Sequence, residues 1–148
     1  MTEPIVVGVD GSEAGQRALR WALDEALVRG CPVRAVRVWN YEPVSDWVPA
    51  SLREVQARSA AALDESVRDA VGGLAEAPEV EQVNAEGEAS DELVRAAADG
   101  VLLVVAGHRG ERLRKALLGS VTAACVRRSP VPVVVLPPSP SAPEDTTV

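Results

Sequence analysis

Short apolar runs alternate along the chain with longer stretches in which apolar residues recur every three or four positions. A short apolar run is typical of a buried strand, and the three-to-four spacing is typical of an amphipathic helix. The pattern predicts five strands, at residues 5–9, 33–39, 80–85, 101–106 and 131–136. The run at 101–106 is apolar throughout, so we expect that strand to be buried on both faces of its sheet.

Four helices are predicted between the strands, at residues 13–30, 46–71, 91–98 and 121–128. Ser12 precedes the first helix and can cap its N-terminus, and Gly30 ends it. Ser90 is the expected N-cap of the third helix. The long second helix should bury one face, which contains Leu52, Val55, Ala62, Leu63 and Val67.

Strands that alternate with helices predict right-handed crossovers and a parallel sheet. The predicted fold class is α/β, with a doubly wound five-stranded parallel sheet in the order 3-2-1-4-5, a Rossmann-like three-layer sandwich. In this order the chain reverses its winding between the first and fourth strands, and ligands bind outside the carboxyl ends there. Asp10 follows the first strand and Gly107 follows the fourth. We therefore expect these two loops to lie side by side.

The composition specifies what kind of core can fill this sheet. The chain has 148 residues, of which 47% are apolar but only 3% aromatic. This length suits one domain, and its core must consist of Val, Leu, Ala and Ile. We assign residues 1–137 to that domain. Residues 138–148 are rich in Pro, Ser and acidic residues, so we expect a disordered tail.

Charge and cysteine content exclude several classes of protein. The net charge of −7 argues against a non-specific nucleic-acid binder. No apolar run approaches the ~18 residues that span a bilayer, so no membrane partner is expected. The N-terminus lacks the features of a secretory signal, which predicts a cytoplasmic location. Cys31 and Cys125 are too few for a disulfide framework or a metal cluster, and we expect Cys125 to be a core residue.

The residues that follow the fourth strand carry the clearest candidate chemistry. Gly107, Gly110 and Gly119-Ser120 have the spacing Gly-x2-Gly-x8-Gly-Ser, and we call residues 107–119 the glycine arch. Glycines allow a ligand to approach the backbone closely, and exposed N–H groups at a helix start attract phosphate. The arch therefore predicts a phosphate-binding loop. Its cations would favour an anion, and they are Arg109, Arg112, Arg114 and Lys115.

Each part of this site also has a plain structural interpretation. Asp10-Gly11-Ser12 by itself is ordinary turn and cap chemistry, and glycines follow many strands for turn reasons alone. His108 is the only histidine and is expected to be a solvent-facing loop residue. Ser120 has no base at a recognisable spacing, so it is a phosphate donor rather than a nucleophile. The three tryptophans are interpreted as packing residues, although Trp39 could shield a bound base.

These residues resemble the universal stress protein family, from Pro4 to about Leu136. IVVGVDGSEAGQRALRWALDEA is similar to the family's first strand and helix, and EGEASDELVRAAA is similar to its third-strand end and following helix. LLVVAGHRGERLRKALLGSV and SPVPVVVLP resemble its nucleotide loop and final strand. The nucleotide-binding branch of the family holds ATP through a Gly-x2-Gly-x9-Gly-Ser/Thr loop, and other branches bind no nucleotide. Here the second gap is eight residues, one fewer than in that loop.

The resemblance implies a role for each position of the site. Asp10 corresponds to the family's acidic residue near the ribose and phosphates, where it could also hold a bridging Mg²⁺. Val38 corresponds to the position whose backbone contacts adenine. Ala106 ends the fourth strand beside the pair Gly107 and Gly110, which passes beneath the ribose and phosphates. The helix start that holds the outer phosphates corresponds to Gly119, Ser120 and Val121.

The resemblance implies a homodimeric stress-response or signalling module with a bound adenine nucleotide, most readily ATP. The shorter arch leaves open a binder of AMP or cyclic AMP, a nucleotide-free interaction protein, or a slow ATPase that uses Asp10 and a metal. An efficient enzyme is not expected, because no positioned nucleophile or base is recognisable. The last predicted strand begins at Val131 and ends at Leu136, and it is expected at the sheet edge. Pairing of this edge with a second copy would give a two-fold dimer.

Overall fold

A computed structural model describes residues 2–41, 51–109, 116–117 and 119–138 of the chain, with backbone only for 108–109 and 116–117. The helices are α1 (Glu13–Arg29), α2 (Leu52–Gly72), α3 (Ala89–Ala96) and α4 (Ser120–Arg128). The strands are β1 (Ile5–Gly8), β2 (Val33–Trp39), β3 (Val80–Glu86), β4 (Leu102–Ala106), β5 (His108–Arg109), β6 (Ala116–Leu117) and β7 (Val133–Leu136). Most of the predicted tail lies outside the described residues.

Five of the strands form one parallel sheet in the order β3-β2-β1-β4-β7. This confirms the predicted doubly wound order, with β7 as the fifth strand of the sheet. Ile5 at the centre pairs with Val33 on one side and Leu102 on the other. The short strands β5 and β6 form a separate antiparallel pair within the glycine arch, which the pattern did not predict. Two residues are too few for periodicity to reveal a strand.

Two aliphatic clusters fill the space on the two faces of the sheet, as the composition predicted. One cluster packs against α1 and α2 and contains Ile5, Val7, Leu19, Leu23, Ala35, Leu63 and Val104, among others. The other packs against α3 and α4 and contains Val6, Val36, Leu93, Ala97, Leu103, Val105 and Cys125. Cys125 is completely buried, which confirms its predicted core position.

The ends of α1 confirm both predicted caps. The Ser12 hydroxyl accepts a hydrogen bond from the backbone N–H of Gly15 at 3.0 Å. At the other end Gly30 has φ of +67°, and its N–H donates to the carbonyl of Ala26. A left-handed residue of this kind ends many helices, because it lets the chain turn back onto free carbonyl groups.

The cap of α3 differs from the prediction. Ser90 lies inside the helix, and Glu88 is the N-cap. The Glu88 carboxylate accepts hydrogen bonds from the N–H groups of Ser90 and Asp91, and also from the Ser90 hydroxyl at 2.6 Å. A carboxylate with two oxygens can bind several donors at once, which a single hydroxyl cannot do. The helix also ends at Ala96, before the predicted residue 98.

The second helix begins with Ser51 as its N-cap, and its predicted first turns at 46–50 lie outside the described residues. Leu63 and Val67 are buried as predicted, but Leu52 is 46% exposed. With 21 residues α2 is about 31 Å long, whereas the seven residues of β3 span about 23 Å. The helix therefore extends beyond the strand that it covers, and its first turn is exposed.

The last strand lies at the edge of the sheet, as predicted, but it begins at Val133 instead of residue 131. Pro130 and Pro132 have no backbone N–H to donate, so the regular pairing starts after them. None of the helices in the described part of the chain has the length and apolar character that a membrane crossing requires.

Candidate functional site

A pocket opens at the carboxyl edge of the sheet, between the loops that follow β1 and β4. Its volume is about 310 Å³, which is the size of a site for a small organic ligand. Its lining residues come from β1, β2, β4 and the starts of α1, α3 and α4. They are Gly8, Val9, Asp10, Gly15, Val36, Val38, Ala89, Leu93, Val105, Ala106, Gly119, Ser120, Val121 and Thr122.

The apolar end of the pocket is formed by strand residues and by α3. Val36 and Val38 project from β2, and Leu93 projects from α3 towards Gly8. A Cβ at Gly8 would lie 3.3 Å from the methyl carbons of Leu93. The absence of a side chain at Gly8 therefore lets Leu93 approach the strand. These side chains give this part of the pocket an apolar lining.

Asp10 also lines the pocket, and local hydrogen bonds orient its carboxylate. Its Oδ1 accepts from the backbone N–H of Ser12 at 2.9 Å and from the Ser12 hydroxyl at 2.5 Å. The first turn of α1 passes so close that a Cβ at Gly15 would lie 2.5 Å from this oxygen. The chain therefore needs glycine at position 15 for this carboxylate position.

The N-terminus of α4 differs from those of the other helices around the pocket. Ser12 caps α1 and Glu88 caps α3, but the N-cap of α4 is Gly119, which has no side chain and makes no side-chain cap bond. The first N–H groups of a helix have no partner within the helix. Because Ser120 and Val121 line the pocket, these donors and the positive end of the helix dipole are available to an anion there.

Gly119 is required for its backbone conformation rather than for space. Its φ is +76° and its ψ is 158°, a region that only glycine adopts readily. A Cβ built on Gly119 would meet no heavy atom within 4 Å. A side chain at this position would therefore strain the turn into α4 without a steric clash.

The structure brings six of the predicted site residues to one pocket: Asp10, Val38, Ala106, Gly119, Ser120 and Val121. Gly107 is not among the lining residues. Its N–H donates to the carbonyl of Leu136 at 2.8 Å, and a Cβ there would lie 3.5 Å from Pro138. Gly107 therefore packs the end of β4 against the end of β7.

Several predictions about the glycine arch fall on residues whose side chains or backbone are not described. His108 and Arg109 lie in β5, which replaces the expected loop, and only their backbone is described. Gly110, Arg112, Arg114 and Lys115 lie outside the described residues. Trp39 is buried with 8% exposure and is not a lining residue, which agrees with a packing role. Trp21 packs partly buried against the first cluster, and Trp47 lies outside the described residues.

The sequence pattern missed the residues that α3 contributes to the pocket, and it missed Gly15 and Thr122. The burial of Leu93 was visible only as helical periodicity, which does not show what the side chain packs against. Thr122 is a buried polar residue inside an apolar helix face, with 3% exposure. A hydroxyl at a predicted core position was the one signal that could have identified it, because buried hydroxyls need a partner.

Two groups, one at the start of α3 and one in α4, have shifted pKa values. Hydrogen bonds, first from the Ser90 hydroxyl and then from the backbone of Asp91 and Ser90, hold the pKa of the Glu88 carboxyl below its usual value. Burial raises the pKa of the Cys125 thiol, so this thiol stays protonated at neutral pH. Among the described lining residues only Asp10 is ionisable.

A doubly wound α/β sheet binds its ligands at the switch point, and this chain has a pocket there. The chain matches the model of the universal stress protein family over residues 1–137. It belongs to the universal stress protein family.

Known relatives agree with this assignment. Universal stress protein Rv2005c from Mycobacterium tuberculosis is 32% identical over 132 residues, which is 89% of this chain and 44% of the relative. The chain thus spans about half the length of the curated relatives that it matches. A solved universal stress protein in complex with cAMP is 26% identical, with a TM-score of 0.70 and coverage of 90% of this chain and 96% of that chain. Universal stress protein UspA from Lactobacillus plantarum, at 23% identity, shares the fold with a TM-score of 0.71 and coverage of 92% and 99%.

Proposed function

We propose that this chain binds an adenine nucleotide, with ATP as the leading candidate, in the pocket between β1 and β4. The observation that carries the proposal is the N-terminus of α4, where the N-cap Gly119 makes no side-chain cap bond and Ser120 and Val121 line the pocket. A helix start of this kind is a favourable site for phosphate. A relative that is 26% identical was solved in complex with cAMP, which supports the same class of ligand.

The two ends of the pocket suit the two ends of a nucleotide. The base would lie against Val36, Val38 and Leu93, where the lining is apolar. The phosphates would lie at Ser120 and Val121, where N–H groups and a hydroxyl can donate. Asp10 would then accept a hydrogen bond from a ribose hydroxyl between these two ends.

Mg²⁺ fits this proposal only as a cation that the nucleotide shares. The described residues contain no group of three or more His, Cys, Asp or Glu that could hold a metal by themselves. Mg²⁺ commonly takes one or two carboxylates together with phosphate oxygens and waters, and Asp10 can supply one carboxylate. Such an ion would neutralise phosphate charge that would otherwise repel Asp10.

We further propose that the nucleotide acts as an effector of a homodimeric stress-response module in the cytoplasm. Strand β7 lies at the edge of the sheet, and an edge strand presents unpaired backbone groups to a second chain. Pairing of β7 with its own copy would give a closed two-fold dimer. The bound nucleotide would change the surface that the dimer offers to a partner.

Calorimetric titration of ATP, AMP and cyclic AMP into the purified chain tests the binding proposal. We expect saturable binding of at least one of them, and binding about tenfold weaker in Gly119→Ala, because a side chain at φ of +76° costs about 1–2 kcal/mol and alters the turn into α4. Gly72→Ala is the matched control, because a Cβ at Gly72 meets open space and Gly72 is remote from the pocket.

The comparison of the three ligands separates the alternatives. Preference for AMP or cyclic AMP over ATP would indicate that the shorter arch accepts fewer phosphates. Absence of binding for all three would overturn the proposal and favour a nucleotide-free interaction protein of the same fold.

A further inference from the structure

Thr122 forms the one described side-chain hydrogen bond that links α4 to the end of β4. It is the third residue of α4, it is 3% exposed, and it lines the pocket. Its hydroxyl donates to the backbone carbonyl of Ala106 at 3.0 Å. Ala106 is the last residue of β4 and also lines the pocket. The bond therefore joins the two points of the backbone between which the whole glycine arch runs.

We infer that Thr122 is a positioning residue that holds the phosphate-binding end of α4 against the end of β4. This inference rests on the proposed function of the same site. Ser120 and Val121, whose N–H groups would bind phosphate, lie two residues and one residue before Thr122 in the same helical turn. A β-branched side chain such as threonine has little freedom at χ1, so a hydrogen bond from its hydroxyl also fixes the backbone that carries it.

The hydrogen bond joins two elements that are sixteen positions apart in the sequence. The described β5–β6 pair joins residues of the arch to each other and does not join β4 to α4. The N-cap of α4 is Gly119, which has no side chain that could fix the turn. The Thr122 hydroxyl thus substitutes for a missing cap, and it does so without using the N–H groups that a normal cap would occupy.

Removal of the hydroxyl should weaken the binding of phosphate and leave the binding of the base unchanged. Thr122→Val keeps the shape and the β-branch of the side chain but removes the donor. Thr122→Ser keeps the donor and removes only a methyl group. We expect the Kd for ATP to rise about tenfold in Thr122→Val, while the Kd for adenosine, which has no phosphate, changes less than twofold. Thr122→Ser should restore the ratio of the two affinities.

The matched control for a general loss of stability is Ser59→Ala. The Ser59 hydroxyl is also buried and donates to the side-chain oxygen of Asn84 at 2.6 Å, but Ser59 is not a lining residue of the pocket. Its removal should lower the melting temperature without changing the ratio of ATP to adenosine affinity. If Thr122→Val does not fold, Thr122→Ala serves as the second variant, with the same expected ratio.

Calorimetry with ATP and adenosine, together with amide hydrogen exchange of the ligand-free chain, decides the inference. An unchanged affinity ratio in Thr122→Val, or an equal loss for both ligands, would overturn it. If the wild-type chain binds neither ligand, the proposed function fails, and hydrogen exchange still tests the role of Thr122. The amide of Ala123, which donates to the carbonyl of Gly119 at 3.0 Å, must then exchange faster in Thr122→Val than in wild type and Thr122→Ser, and equal rates would overturn the inference.

Discussion

At the scale of single residues, the candidate site depends on positions where a side chain is absent. Gly15 lets the first turn of α1 pass beside the Asp10 carboxylate, and Gly119 provides the turn into α4. Each glycine supports a different group of the pocket, one a carboxylate and the other a set of N–H donors. Substitutions at the two positions should therefore weaken ligand binding for different reasons: one displaces the Asp10 carboxylate, and the other alters the turn that carries the N–H donors.

Gly15→Ala should displace the Asp10 carboxylate, because the new Cβ would lie 2.5 Å from Oδ1. We expect ATP to bind about tenfold more weakly, an effect the size of one lost hydrogen bond to a charged group. Alanine is otherwise a better helix former than glycine, so loss of helix propensity cannot account for the change. Calorimetric titration measures it.

Asp10→Asn provides the comparison for this prediction. It retains a side-chain oxygen that can accept from Ser12 but removes the charge. Equal ATP affinity in wild type and Gly15→Ala would show that the position of this carboxylate does not matter for binding.

At the scale of elements, the start of α3 depends on the ionised form of Glu88. Its carboxylate accepts from two backbone N–H groups and from the Ser90 hydroxyl. These bonds keep the pKa of Glu88 below its usual value, so the folded state binds a proton less readily than the unfolded state. The stabilisation is therefore complete above the unfolded pKa of about 4.3 and is lost as the pH falls through the lower, folded pKa.

Glu88→Ala should lower the melting temperature at neutral pH by removing this cap. The difference between wild type and Glu88→Ala should stay constant between pH 7 and 5 and should shrink as the pH falls below the usual glutamate range. Thermal unfolding followed by circular dichroism across this range measures the difference. A difference that stays the same at the lowest pH would mean that the carboxylate charge does not stabilise α3.

At the scale of the whole molecule, the free edge of β7 determines how two copies could associate. Leu103 donates to the carbonyl of Pro132, and Gly107 donates to the carbonyl of Leu136. Alternate residues of a strand direct their backbone groups to opposite sides, so the N–H and C=O of Val133 and Val135 point away from β4. Among the described strands, none pairs with this side of β7.

Val135→Pro should abolish the proposed dimer and leave the chain folded, because it removes an outward N–H but no bond to β4. Val134→Pro is the matched control. It removes an inward donor and should destabilise the sheet itself. Light scattering after size exclusion gives the mass of each variant, and unfolding by urea gives its stability. A dimer that survives in Val135→Pro would show that the copies associate through another surface, and a monomeric wild type would refute the dimer altogether.

The amino-acid sequence alone determined the order of the main elements, the class of fold and the aliphatic core of this protein. These features follow from apolar periodicity and from the chirality of parallel crossovers, which are local properties of the chain. The predicted strand order placed Asp10 and Gly107 at the same edge of the sheet, and alternation of strands and helices favours a doubly wound order of this kind.

Only the tertiary structure decided which groups complete the pocket. Leu93 reaches Gly8 across two elements, Gly15 faces Asp10 at the first turn of α1, and Thr122 bonds Ala106 across the arch. Glu88 displaces Ser90 as a cap through local geometry, because its carboxylate reaches three donors on Ser90 and Asp91. Each of these contacts depends on the distance and direction between particular atoms. Periodicity reports which face of an element is buried, but it contains no information about those distances.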